Sequence, residues 1–117
     1  MNIAGKFDFP SYYRFLTEEC VSIVSIDSAP LHIAKKLGVP TISVWGPTNP
    51  ENYLKINPGE QNKHLFHYLG VPCSPCIHYH KILPCGGNNT CMKDIEADSI
   101  IEKIKSLLNM IATAKEA

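Results

Sequence analysis

The sequence predicts an α/β fold, a parallel sheet with flanking helices, and three observations point there. Two apolar, β-branched runs, "CVSIVSI" and "TISVW", have the length and composition of buried strands. Between them lies "SAPLHIAKKLG", a capped helix closed by a glycine. The joins are only about two to four residues long, so the order helix, strand, helix, strand is that of a parallel sheet with crossover helices.

Each element has its own signal. Asp8 is a good N-cap, Pro10 suits a first turn, and Tyr12, Leu16 and Cys20 recur at helical spacing, which predicts a helix from Pro10 to Glu19. The first strand then ends at Asp27. Ser28 is placed to cap a helix over Ala29 to Leu37, Gly38 takes the C′ position, and Pro40 prevents continuation. "TISVW" is the second strand, stopped by "GPTNP", where Gly46 and Pro47 supply turn geometry and Thr48 is expected to cap. Signals weaken from Glu51 to Gly70, where "KHLFHYLG" is compatible with one more strand. Val71 to Cys91, rich in Cys, Pro, Gly and Asn, should be irregular. Ile100, Ile101, Ile104, Leu107, Leu108 and Ile111 then share one face of a C-terminal helix, about 97–114, with Asp98 as its expected cap, and that face should dock on the sheet.

Composition narrows the function. A chain of 117 residues, 44% apolar, has room for one domain or part of one. Eleven basic residues balance eleven acidic ones, so the basic excess that nucleic acid would demand is missing. The opening "MNIAGKFDFP" lacks the pattern of a signal peptide, and no apolar run approaches the ~20 residues of a membrane span, which predicts a cytoplasmic protein.

Chemistry gathers at the two strand ends. In parallel sheets the carboxyl ends of neighbouring strands share one rim, and ligands bind in the crevice outside it. Asp27, Ser28, Ala29, Pro30 and His32 follow the first strand; Gly46, Pro47 and Thr48 follow the second. The unpaired amides at the start of the helix favour an anion such as phosphate. Ser28 and His32 could donate to the same anion, whereas Asp27 would suit a sugar hydroxyl. Together they suggest a sugar phosphate. Structural roles, a cap for Asp27 or Ser28 and packing for His32, account for each residue singly.

Cysteine supplies a second constellation. Cys73, Cys76, Cys85 and Cys91 form C-x2-C-x8-C-x5-C, a spacing able to make a tetrahedral four-sulfur site for structural zinc or iron. A closed site of that kind leaves no open coordination position, so no catalytic metal is expected. Merely buried thiols are the plain alternative, disulfides would require oxidation, and "CSPC" does not open a helix as a thioredoxin-like motif would. Cys20 is expected in the core.

The stretch "VSIVSIDSAPLHIAKKLGVPTISVWGPTNP" resembles the C-terminal half of glycosyltransferase family 9, the heptosyltransferases of lipopolysaccharide core synthesis. It nearly matches that family's order of strand, D-S/T-G/A-x-x-H turn, helix, G-V-P, strand and G-P-T. "NIAGKFDF" resembles the family's lead-in, and "CSPC" through "CMKDI" a cysteine segment that many members carry before the last helix. The resemblance implies a GT-B architecture, two Rossmann-like domains with a nucleotide-diphosphate sugar, typically ADP-heptose, held mainly by the C-terminal one. It implies that Asp27, Ser28, Ala29, Pro30 and His32 line the diphosphate and sugar, with Gly46, Pro47 and Thr48 on the neighbouring wall. Ala29 stands where many members have Gly, which would strain a backbone needing positive φ there.

The resemblance also puts the acceptor site and the catalytic base in an N-terminal domain. The chain is therefore expected to be a fragment, a truncated gene product or a split subunit: residues 1–117 as part of the donor-binding domain, with no catalytic residue of its own and an uncovered apolar sheet edge. Its expected partners are the nucleotide sugar and the missing domain or another chain, with oligomers open, and an intact enzyme would work at the inner face of the membrane. A non-catalytic, metal-stabilised binding or assembly module is the alternative.

Overall fold

The computed structural model describes residues 1–116, in the order α1 (Phe9–Glu18), β1 (Ile23–Ile26), α2 (Ala29–Lys36), β2 (Thr41–Trp45), α3 (Pro50–Tyr53), β3 (His64–Tyr68), α4 (Thr90–Lys93) and α5 (Ala97–Glu116). The three strands form one open sheet in the order β1-β2-β3, parallel throughout, with Ile26 opposite Val44 and Trp45 opposite Tyr68. The predicted fold class is the one observed, and "KHLFHYLG" does contain the third strand.

Local signals explain most element ends. Asp8 accepts from the Ser11 N–H at 2.9 Å and caps α1, and those bonds hold its carboxyl below the usual range. Gly38, at φ +77°, ends α2 as its C′ residue, with its N–H on Lys35 O and that of Val39 on Ala34 O. Ala29 is already helical, so the absence of glycine there brings no strain.

Several local expectations need correction. β1 begins at Ile23, three residues after Cys20. Ser28 occupies the N-cap position of α2 without capping it, because its hydroxyl is turned toward Ser25 Oγ and Ile26 O. Asn49, not Thr48, caps the short helix α3 by accepting from Glu51 N–H at 3.0 Å. Asp98 lies inside the first turn of α5, where its charge complements the helix dipole. The cysteine-rich segment is irregular until Thr90, where α4 begins.

Two clusters pack the first face of the sheet. Leu16 of α1 meets Ala34 and Val39, with Tyr12, Cys20, Ile23 and Ile33 around them, so Cys20 is a core residue as expected. Leu31 of α2 meets Trp45 and Leu54, flanked by Ile56 and Tyr68. On the second face α5 docks over β2 and β3, burying Leu107. That helix stops short of β1, whose Val24 and Ile26 remain 51% and 57% exposed.

Among the described residues, polar side-chain atoms inside this core are paired except for two imidazole nitrogens, His64 Nε2 and His67 Nε2. Trp45 Nε1 donates to Ser43 Oγ at 2.7 Å, and Thr41 Oγ1 sits 3.0 Å from His64 Nδ1. His64 Nε2, equally buried, has no partner among the described residues. Burial pushes the His64 imidazole below its ordinary range, with Lys35 and Lys63 adding to the shift and Glu60 opposing it. His67, against α5, is lowered by burial and by Lys103. A histidine that resists protonation only when folded costs stability as protons become available to the unfolded chain. The histidine contribution to the urea midpoint should therefore be constant above pH ~7 and fall as pH drops through the ordinary imidazole value near 6.5 toward the lowered folded value. His64→Asn should flatten part of that fall; an identical pH profile for the variant would show that His64 does not contribute.

Candidate functional site

Parallel pairing brings the carboxyl ends of β1 and β2 side by side, and the chain leaves both on the same rim. Asp27, the first residue past β1, sits between the two polar clusters. His32 Nε2, one turn into α2, donates to Asp27 Oδ1 at 3.0 Å, and Thr48 Oγ1, past β2, donates to Asp27 Oδ2 at 3.1 Å. One carboxylate thus ties both clusters together. It keeps lone pairs for hydroxyl donors from a ligand, since a carboxylate accepts about four hydrogen bonds.

A cleft of about 340 Å³ opens beside this tie, lined by Ile26, Asp27, Val44, Gly46, Pro47 and Thr48 on the sheet side. Its opposite wall is formed by Ile77, Asn89 and Met92, all from the cysteine-rich segment and α4. Spacing alone did not reveal these three residues. Asn89 carries the only visible signal, an Asn ahead of a helix, and it adopts the left-handed conformation at φ 55°.

The remaining predicted residues are distributed differently. Ser28 is engaged with Ser25, and Ala29 is exposed at the start of α2. Pro30 faces away, into an apolar cleft formed with Ile3, Phe7, Phe9 and Tyr12. Pro30 has no N–H, and the Leu31 N–H is bonded to Ser28 O at 3.1 Å. The start of α2 therefore offers an anion fewer free amides than the pattern suggested, with Ala29 the main donor.

Gly46 has a reason other than turn geometry, because its φ is not positive. A β-carbon there would lie 2.6 Å from Met92 Sδ, 2.7 Å from Met92 Cγ and 3.1 Å from Cys91 Sγ. Absence of a side chain is what lets α4 lie flush against the rim. The segment is tied down at two further points: Cys76 N–H donates to Pro47 O at 2.9 Å, and Ser74 Oγ donates to Gly46 O.

The four cysteines of that segment are free thiols. Cys76 and Cys91 are buried, and burial pushes both thiols up; Cys73 and Cys85 push each further, and Cys76 also acts on Cys91. Cys85 behaves oppositely. Hydrogen bonding from the main-chain N–H groups of Asn89 and Gly87 holds that thiol below its usual range. Among the described residues, no three His, Cys, Asp or Glu side chains already form a group that could hold a metal ion. Among the same residues, no helix is long and apolar enough to cross a membrane.

Comparison with known proteins follows the geometry. The model of glycosyltransferase family 9 (heptosyltransferase) matches residues 1–86, a span that contains the whole rim and Cys73, Cys76 and Cys85. The chain is 34% identical over 89 residues to lipooligosaccharide heptosyltransferase 2 of Campylobacter jejuni serotype O:6, a match covering 75% of the chain and 26% of that protein. It is 29% identical over 89 residues to the protein of the same name from serotype O:2, covering 76% and 26% respectively. The matched region thus spans about a quarter of the length of these relatives. No solved structure matches.

Gly46→Ala should lower stability by about 1 to 3 kcal/mol, as overpacking typically does, because the added methyl must displace Met92 and press on Cys91. Met92→Ala in the same background should recover part of the loss, measured by urea unfolding of the single and double variants. Full stability in the Gly46→Ala protein would mean that α4 does not pack on the rim as described.

Proposed function

This chain belongs to glycosyltransferase family 9, and from that premise we propose that its rim is the donor side of a sugar transfer. In the complete reaction, heptose or a related sugar leaves a nucleoside diphosphate, ADP-heptose or a close relative, for a hydroxyl of a lipopolysaccharide core or another glycan or protein acceptor. The observation that carries the proposal is the Asp27 carboxylate, shared by His32 and Thr48 at the edge of a cleft. Asp27 accepts hydroxyl protons from the sugar. Its two protein donors keep the carboxylate oriented, and they offset part of the repulsion that a bare carboxylate would exert on a phosphate.

Charge develops on the departing diphosphate as the bond to the sugar breaks, and donors aimed at that charge lower the barrier. On this chain the donor is the Ala29 amide at the positive end of α2, and His32, one turn in and held on Asp27, adds polar surface beside it. Gly46, Pro47 and Thr48 form the near wall, and Ile77 and Met92 supply apolar surface opposite. The base that deprotonates the acceptor hydroxyl is not assigned to any residue of this chain. Chemistry on a nucleotide sugar fits a site on the cytoplasmic side of the inner membrane.

Calorimetric titration of the chain with ADP and with an ADP-sugar tests the assignment. Binding should be detectable, and Asp27→Asn and Thr48→Val should each weaken the ADP-sugar about tenfold to a hundredfold, the range expected for losing a hydrogen bond to a charged group. The ADP-sugar should lose more than ADP, because the carboxylate faces the sugar. Equal affinities in wild type and both variants would remove Asp27 from the donor site.

A further inference from the structure

The donor reading leaves the four cysteines without a role, and their placement calls for one. From Leu69 to Asn89 the chain has no helix or strand, and its bulky apolar side chains Ile77, Tyr79 and Ile82 are 48%, 66% and 85% exposed. Long segments of this kind inside compact domains are uncommon unless something staples them. Sulfur, not hydrocarbon, is what this one turns inward: Cys76 is its buried residue, and Cys91, just past it in α4, is buried too, both against the Gly46–Pro47 wall.

We propose that Cys73, Cys76, Cys85 and Cys91 together bind one thiophilic divalent ion, for which zinc is the probe, and that the ion fixes the Ile77, Asn89 and Met92 wall of the cleft. Cys76 and Cys91 meet the same wall, Cys76 through its N–H on Pro47 O at 2.9 Å and Cys91 with its sulfur 3.1 Å from the place of a Gly46 β-carbon, while Cys73 lies three residues before Cys76 and Cys85 six before Cys91. A cation held among four thiolates offsets their mutual repulsion. Cys20 stands outside the cluster, packed beside Leu16, Ala34 and Val39.

The chain turns tightly after Cys85. Gly86 and Gly87 have φ of 59° and 91°, and the Asn88 N–H returns to Cys85 O at 3.1 Å. Four thiolates and one divalent ion carry a net charge of about −2 by formal counting, and a cation is at hand. Lys93, at the end of α4, reaches back to Asn88 Oδ1 in that turn at 3.3 Å. The sulfurs do not yet form a ligand set, so binding must draw them inward, and the paired glycines are where the chain can yield. Four sulfurs complete a tetrahedral shell and leave no position for substrate, which makes the ion a structural one.

Protein purified without chelator should contain close to one zinc per chain by elemental analysis. The chelated protein, reduced by a phosphine, should take up one equivalent of added zinc in competition with a chromophoric chelator, and cobalt should give a thiolate charge-transfer band. Cys85→Ser, which leaves the buried core untouched, should lose at least tenfold in zinc affinity, Cys76→Ser should lose more, and Cys20→Ser should match wild type. Amide exchange across 71–94 should slow on adding zinc. No nucleotide is present in these assays, so their failure and the failure of the donor reading are separate results. Absence of stoichiometric uptake, equal loss in Cys20→Ser, or thiols that oxidise pairwise to disulfides while exchange stays unaltered by zinc would each overturn the proposal.

Discussion

Parallel registration of β2 between β1 and β3 is the constraint on which the rest depends. Among the described residues β2 is the only strand with a neighbour on both sides, and four of its five residues are buried. Pairing Ile26 with Val44 brings Asp27 level with the end of β2, within reach of Thr48. Slippage by one residue would turn Ile42 and Trp45 to the wrong faces and carry Asp27 away from its partner, so core and rim stand or fall by the same register. Burying Trp45 therefore does more than supply apolar area; it locks the strand end that displays Gly46.

The polar interior follows from the same arrangement. A sheet covered on one face by α2 and on part of the other by α5 must bury its central hydroxyls, and it pairs them across strands or along them. Unpartnered His64 Nε2 is tolerated because a neutral imidazole loses less on burial than a charged one. β1 is the opposite case. Its first face is packed, whereas Val24 and Ile26 on the second lie open beyond the reach of α5.

Gly46 links the sheet to the cysteine segment. Because the residue has no side chain, Met92 and Cys91 pack where a β-carbon would be, and the carbonyls of Gly46 and Pro47 accept from Ser74 and from the Cys76 amide. One wall of the cleft is therefore built from the central strand, and the other from a loop about forty residues further along the chain. Ordering that loop and shaping the cleft are consequently one physical problem.

Local order was legible in the sequence because its causes are local. β-branched runs, the Asp8 cap, the Gly38 stop and the spacing of apolar residues in α5 act over one or two turns, and each appears as written, apart from ends displaced by up to three residues. The family, too, was readable from one contiguous stretch around Asp27 and Thr48. Hydroxyl partnerships were not. Ser28 turns back to Ser25 and the Ile26 carbonyl, a local competition that capping preference does not rank, and Thr48 turns to Asp27 because parallel pairing brings up an acceptor from 21 residues earlier in the chain. Nor could spacing reveal that Ile77, Asn89 and Met92 face Asp27, or that Gly46 is needed for close approach and not for a positive φ. Which side chains meet across the cleft depends on how the cysteine segment folds back over the rim. That is a matter of long-range packing, which only the tertiary structure decides.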